Sequence, residues 1–87
     1  MDVRDLISEW NEEALMADGF DEAILGISQR VGMEDVVAYD RDKCISVLMD
    51  RDGMSQEDAV EYFEFNVAGA YMGENTPVFI SMFPTAP

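Results

Sequence analysis

The apolar positions of residues 2–17 recur with the spacing of an amphipathic helix. They fall at i, i+3, i+4 and i+7 and comprise Val3, Leu6, Ile7, Trp10, Ala14 and Ala17. Asp2 is placed to cap the first free backbone N–H groups, and Gly19 supplies the residue type that most often ends a helix. The pattern therefore predicts a first helix over residues 2–17, with its apolar stripe in the core.

Two short apolar runs follow, and their composition is typical of strands. Residues 23–28 contain two isoleucines, residues 36–39 are apolar throughout, and Gly32 lies in the connection between them. Strands this close along the chain pair antiparallel, because a parallel connection needs a crossover of about a dozen residues or more. We expect a hairpin here. A short buried helix over residues 22–31 is the alternative that periodicity leaves open.

Two further helices are predicted between the hairpin and the C-terminus. Asp40 is a favourable N-cap for a helix that runs to about Arg51, and a glycine two residues later stops it. Ser55 caps the next helix, and Asp58 follows it at the position of a capping box. The second of these helices is predicted to run to about Met72, just before another glycine.

A third strand completes the predicted elements. Residues 76–81 centre on the apolar run Val78-Phe79-Ile80, and Pro77 fits at a strand start or edge because it has no N–H to donate to a ladder. The expected fold is α+β, with three helices packed on a three-stranded sheet in the order α-β-β-α-α-β. We expect residues 1–87 to form a single domain, ordered over about 2–82, with residues 83–87 as a tail.

Acidic residues cluster around the start of the last predicted helix. Glu57, Glu61 and Glu64 share one face at intervals of about one turn, or about 5 Å. Asp50 and Asp52 lie close to the same helix start. We refer to these five residues as the acidic surface. A row of carboxylates can imitate a phosphate backbone and occupy a basic groove, whereas a solvated helix face is the commoner use of such a row.

The second half of that helix differs from the first because residues 65–72 carry no charge. A helix that is apolar nearly all round is buried on most sides. We therefore expect this half either to be the central helix of the domain or to form a homo-oligomer interface. The interface positions would be Phe65, Gly69 and Met72, with the small residues around Gly69 allowing another backbone to approach closely.

Composition excludes several classes of chemistry. The 87 residues include no histidine, which excludes Ser-His-Asp and Cys-His catalysis and any histidine-ligated metal. The single cysteine excludes an intrachain disulfide and every multi-cysteine zinc or iron–sulfur site. Cys44 itself lies one turn before Leu48 on a predicted helix, a spacing typical of a core thiol. We expect a protein that is not an enzyme and that uses no metal or cofactor.

The segment Asp50–Gly53 resembles part of a calcium-binding loop but fails its ligand test. With Asp50 and Asp52 at the third and fifth loop positions, Gly53 falls correctly at the sixth. The first and twelfth positions would then be Leu48 and Ala59, and neither can bind a cation. A turn between two helices with acidic caps accounts for the segment better.

The net charge indicates the kind of partner. Nineteen acidic and five basic residues give −14, above the magnitude of about 2 to 8 that is usual for a small domain. The electrostatic field of this charge repels nucleic acid and anionic membranes and favours binding to basic proteins. Solubility is a sufficient alternative reason for the charge. The N-terminus lacks the basic and apolar regions of a signal peptide, and no stretch approaches a membrane span, so a cytoplasmic location is expected.

Short segments between residues 39 and 77 form a distinctive string. They are Tyr39-Asp40, Lys43-Cys44-Ile45, Leu48-Met49, Arg51-Asp52-Gly53-Met54-Ser55, Glu57-Asp58-Ala59, Glu61-Tyr62-Phe63-Glu64-Phe65-Asn66, Gly69-Ala70-Tyr71, Gly73-Glu74 and Thr76-Pro77. The string resembles a family of small uncharacterised proteins of tailed bacteriophages and bacteria, and the resemblance spans roughly residues 20–80. It implies a phage or prophage setting and the host cytoplasm, and it assigns no site residue.

Small acidic phage proteins are often inhibitors of host nucleic-acid enzymes or defence systems, which agrees with the charge. The leading hypothesis is therefore a non-catalytic acidic protein, a phage accessory factor, that binds or inhibits a basic host protein through the acidic surface. The alternative hypothesis is a structural or assembly protein that forms a homo-oligomer through residues 65–72, with its charge serving solubility.

Overall fold

A three-stranded mixed sheet forms the centre of the fold. In the computed structural model, which describes residues 2–84, the strands are β1 (Ile24–Ser28), β2 (Val36–Asp40) and β3 (Val78–Ile80), in the spatial order β1-β2-β3. β1 and β2 form the predicted antiparallel hairpin, and β3 lies parallel to β2 on its other side. The strand prediction for residues 23–28 is confirmed. The alternative of a helix over residues 22–31 is wrong, because the helical residues next to β1 form only a short 3₁₀ turn, Asp21–Ala23.

β2 is the most buried element. Its first four residues are all buried, so both faces of this strand are covered. Tyr39 stacks on Phe79 of β3, with ring centroids 5.4 Å apart, and Phe79 meets Phe63 edge-on at 5.1 Å. The three rings connect β2, β3 and the last helix. The core around them contains Ile7, Phe20, Ala23, Val37, Tyr39, Cys44, Ile45, Val47, Leu48, Ala59 and Phe63.

The first helix is shorter than predicted. α1 spans Val3–Trp10 and ends at Asn11, whereas the apolar spacing predicted a helix to residue 17. Asn11 leaves the helical region and uses its side chain to join distant segments. Its Nδ2 donates to the Asp35 carbonyl at 2.9 Å and to Asn75 Oδ1 at 2.8 Å. These tertiary hydrogen bonds replace the local bonds of a further helical turn.

Residues 11–20 therefore form a loop whose backbone is hydrogen-bonded to other parts of the fold. The amide of Leu15 donates to the Asn75 carbonyl at 3.1 Å. The amide of Ala17 donates to the hydroxyl oxygen of Tyr39 at 2.8 Å. Ala14 and Ala17 still pack against the core, so the apolar positions of this segment were correctly identified even though their helical conformation was not.

The second helix follows its prediction closely. α2 spans Arg41–Asp52, and the Asp40 side chain accepts a hydrogen bond from the Lys43 amide at 3.2 Å. Gly53 ends the helix with φ of 68°, a left-handed conformation that glycine adopts without the steric cost imposed by a Cβ atom. This arrangement turns the chain directly into the last helix.

The third helix begins as predicted and ends early. α3 spans Gln56–Phe63, and the Ser55 hydroxyl accepts a hydrogen bond from the Asp58 amide at 3.2 Å. Residues Glu64–Ala68 continue it as a π-helix, which we call the π segment. The prediction of a helix to Met72 is wrong. The Met72 amide instead donates to Thr76 Oγ1 at 2.8 Å, which closes a turn outside the helix.

The α+β class and the element order α-β-β-α-α-β are confirmed. Of the predicted tail, Phe83 and Pro84 are exposed, and residues 85–87 lie outside the described residues. Among residues 2–84, no helix has the length and apolar character needed to cross a membrane.

Candidate functional site

The outer face of α3 carries three members of the acidic surface. Glu57 and Glu61 are one turn apart, and Glu64 follows at the start of the π segment. All three are exposed, because Ala59 and Phe63 are buried against the core and turn the opposite side of the helix outward. The predicted row of carboxylates is therefore present, and it stands on a helix anchored by its inner face.

Asp50 and Asp52 lie on the last turn of α2, just before the connection to α3, and both are exposed. Asp52 is engaged by Arg51, whose Nε and Nη2 each donate to one carboxylate oxygen at 3.2 Å. This hydrogen bond to Asp52 raises the pKa of Arg51 above its ordinary value. Arg51 also donates to the Gly19 carbonyl at 2.9 Å, so the pair anchors the loop that precedes β1.

Glu64 is also engaged within the chain. Arg41 Nη2 donates to Glu64 Oε1 at 2.9 Å, and the Arg41 guanidinium lies 5.7 Å from the centroid of the Phe63 ring. The acidic surface thus divides into two groups. Asp52 and Glu64 are held in ion pairs, whereas no ion pair within residues 2–84 involves Asp50, Glu57 or Glu61.

The predicted oligomer-interface positions are exposed but do not share one helical face. Phe65 lies on the π segment with 77% of its side chain exposed, and Met72 lies in the turn beyond the helix. The alternative prediction, that this half is the buried central helix of the domain, is wrong. Much of its apolar surface faces outward, and Val67 alone packs from it against the core.

Gly69 has an intrachain reason to be glycine. A Cβ atom added to it would lie 2.7 Å from the carbonyl oxygen of Glu64, a distance that real Cβ atoms do not adopt. The small residue therefore permits the π segment to close on itself. The predicted approach of another backbone is not needed to explain this glycine within the described residues.

An open depression lies beside the acidic face of α3. It has a volume of about 510 Å³ and is lined by Met54, Asp58, Glu61, Tyr62, Phe65 and Asn66. A more apolar groove of about 410 Å³ adjoins it, bounded by residues 15–20, the π segment and residues 76–79. Tyr62 and Asn66 line both, so the two concavities share a wall.

Asn66 has a local role in this wall. Its Nδ2 donates to the backbone carbonyl of Tyr62 at 3.2 Å, and its side chain remains exposed. It is therefore not a buried hydrogen-bonding residue of the core. The bond holds one turn of α3 to the π segment, which keeps the shared wall in place.

The thiol is isolated from this surface. Cys44 is fully buried on α2, as the sequence predicted for a core thiol. Burial, together with the nearby Asp40 carboxylate, raises the pKa of Cys44 from 9.0 to about 11, so the thiol stays protonated at neutral pH. Among residues 2–84, no group of three or more His, Cys, Asp or Glu side chains could hold a metal ion.

Sequence reasoning missed Asp58 and Tyr62 as site residues. The sequence pattern identifies Asp58 only as part of a capping box, and it gives Tyr62 no site role. A usable signal was present in the spacing: Asp58 precedes Tyr62 by four residues, and Glu61 precedes Phe65 by four. Residues at i and i+4 are neighbours on a helix surface, so this spacing places each acid beside an aromatic ring.

Comparison with known proteins adds no relative: no family model, no curated protein and no solved structure matches the chain.

Proposed function

We propose that the chain is a non-catalytic acidic binding protein that recognises a basic partner protein through α3 and the end of α2. One observation carries this proposal. Three exposed carboxylates, those of Asp50, Glu57 and Glu61, form no ion pair with any basic residue within residues 2–84. Exposed carboxylates on a strongly negative protein attract basic partners over long range and disfavour the binding of acidic ones.

The charge and the resemblance to small phage and bacterial proteins suggest a setting for this activity. In that setting the protein is an accessory factor in the host cytoplasm, and its partner is a nucleic-acid enzyme or a defence component with a basic groove. Bound there, the carboxylates on α3 would occupy the positions of phosphates and so inhibit the partner. Direct binding to nucleic acid or to an anionic membrane is disfavoured by the net charge of −14.

The test compares two variants with the same change in net charge. The triple variant Asp50→Asn, Glu57→Gln, Glu61→Gln removes the unpaired carboxylates and leaves both ion pairs intact. The matched control, Glu9→Gln, Glu12→Gln, Glu13→Gln, removes three exposed carboxylates from the opposite end of the chain sequence. Each immobilised protein is used to capture proteins from bacterial lysate at low salt, and the affinity of every purified captured partner is then measured.

We expect the α3 variant to bind a captured basic protein about tenfold more weakly than the control variant does, because exposed ion pairs contribute about 0.2–1 kcal/mol each. Binding of the unchanged protein should also weaken as salt shortens the range of the field. Equal weakening by both variants would mean that only the net charge matters, and the proposed surface would be wrong.

A second function rests on a separate observation, the exposure of Phe65 and of Met72, which is 69% exposed. These side chains would suit a homo-oligomer interface in a structural or assembly protein. Gly69→Glu is a poor test, because any side chain there meets the Glu64 carbonyl. Phe65→Glu is a sharper test. If the unchanged protein sediments as an oligomer at high protein concentration and high salt, this substitution should dissociate it. If the unchanged protein is a monomer under those conditions, the second function is wrong.

A further inference from the structure

The depression beside α3 combines aromatic rings with carboxylates. Two aromatic side chains, Tyr62 and Phe65, form part of its wall, and two carboxylates, Asp58 and Glu61, form another part. Each carboxylate lies one turn before one of the rings, so the two acid–aromatic pairs run side by side along the helix. Phe65, with 77% of its side chain exposed, is accessible to a partner.

Within the described part of the chain, no basic residue lines this depression. No ion pair or side-chain hydrogen bond within residues 2–84 joins a basic residue to the carboxylate of Asp58 or Glu61. The arginines contact other groups: Arg4 pairs with Asp21, Arg30 donates to the Glu34 carbonyl, Arg41 pairs with Glu64, and Arg51 pairs with Asp52. The site therefore presents negative charge and aromatic side chains together.

We propose that this depression binds an arginine side chain of the basic partner, an inference that rests on the proposed function and names the group it recognises. A guanidinium is planar, so it can lie on the Tyr62 and Phe65 rings while its N–H groups donate to Asp58 and Glu61. A lysine ammonium supplies the same charge but stacks less well. The net charge of −14 opposes a second copy of this chain as the occupant.

The test uses two fluorescently labelled peptides of equal charge, octaarginine and octalysine, as probes of a basic partner segment. Affinities are measured by anisotropy at low and moderate salt. The site variants are Phe65→Leu, which keeps an apolar side chain and removes the ring, and Glu61→Gln. The matched controls are Phe83→Leu, at a phenylalanine that is 95% exposed, and Glu12→Gln, at an exposed glutamate.

We expect octaarginine to bind about three- to tenfold more tightly than octalysine, with a preference that survives moderate salt because stacking is not screened as charge is. Phe65→Leu should abolish that preference, and Phe83→Leu should preserve it. Glu61→Gln should weaken both peptides more than Glu12→Gln does. Amide shifts of the ¹⁵N-labelled protein on adding octaarginine should centre on residues 54–66.

Three outcomes would overturn the inference. The first is equal affinity for the two peptides, and the second is a preference that Phe65→Leu leaves unchanged. The third is a set of shifted amides centred on α1, where Trp10 offers another exposed ring. If in these cases the variant lacking Asp50, Glu57 and Glu61 carboxylates still binds both peptides more weakly than its control, the proposed function stands and only arginine recognition is lost. If neither peptide binds at low salt, both are wrong.

Discussion

Replacing Tyr39 by phenylalanine tests how the loop of residues 11–20 is held to the sheet. The hydroxyl oxygen of Tyr39 accepts the Ala17 amide at 2.8 Å, and the substitution removes that acceptor. The ring remains, so its stacking on Phe79 at 5.4 Å is retained. The change therefore isolates one hydrogen bond between a fully buried side chain and a loop that has no regular secondary structure of its own.

The expected loss follows from the surroundings of the amide. An N–H group left without an acceptor in a buried place costs about 1–3 kcal/mol, and the partial burial of this bond places Tyr39→Phe at about 1–2 kcal/mol. For a domain of 87 residues, 1 kcal/mol corresponds to a fall in Tm of about 5 °C. We therefore expect Tm to fall by about 5–10 °C.

The assay is thermal and urea unfolding followed by circular dichroism, together with hydrogen exchange of the Ala17 amide. Tyr71→Phe is the control, because that hydroxyl belongs to a side chain that is 77% exposed. Exchange at Ala17 should accelerate in Tyr39→Phe and stay unchanged in Tyr71→Phe. If Tyr39→Phe matches its control in both stability and exchange, this hydrogen bond does not hold the loop to the sheet.

Three further substitutions probe the remaining elements. Gly69→Ala should destabilise the fold by about 1–3 kcal/mol in urea unfolding, because its Cβ would meet the Glu64 carbonyl at 2.7 Å; no change would show that the π segment relaxes freely. Ser55→Ala should cost about 1 kcal/mol by loss of the cap on Asp58, and a neutral result would contradict that role. Burial raises the pKa of Cys44 from 9.0 to about 11, so the thiol of the unfolded chain ionises at a lower pH than the thiol of the folded chain. The free energy of unfolding should therefore be at its full value below about pH 9 and fall as pH rises towards 11. Cys44→Ala should flatten that decline, and an unchanged pH profile in this variant would refute the argument.

Local signals identified most of the elements because those elements are stabilised locally. Asp40 and Ser55 each cap a helix through their own side chains, as their positions in the sequence indicated. The hairpin followed from the short distance between two apolar runs. Helix ends were predicted poorly where tertiary bonds decide them. Asn11 and Thr76 redirect the chain through partners that are far away in sequence or lie beyond the helix, and periodicity carries no information about such bonds.

The same distinction applies to the candidate site. The spacing of Glu57, Glu61 and Glu64 was sufficient to place these acids on one exposed face. It could not reveal that Arg41 engages Glu64, because the two residues are brought together by the packing of α2 against α3. Nor could it show that residues 64–68 form a π segment, which exposes Phe65 beside the acids. These features depend on contacts between elements, and only the folded chain provides them.

The stability of α3 accounts for some of its acidic residues and leaves others unexplained. Glu57 and Asp58 lie in the first turn, where carboxylates interact favourably with the positive end of the helix dipole. Glu61 lies beyond that turn and one turn from Glu57, an arrangement of like charges that costs about 0.2–0.5 kcal/mol. Phe65 exposes most of its ring to water, where it contributes little to the core.

The contacts of residues 2–84 give Glu61 no ion pair and leave Phe65 77% exposed, and the two residues are neighbours in the same depression. The face beneath them is held rigidly, since Phe63 joins α3 to the sheet through Phe79 and Tyr39. A rigid support means that a partner meets these side chains on an ordered helix and loses little free energy in arranging them. A carboxylate without an ion pair and a largely exposed ring, fixed side by side on such a support, are better explained by recognition of a cation than by solubility, which an acid placed anywhere on the surface would serve equally well.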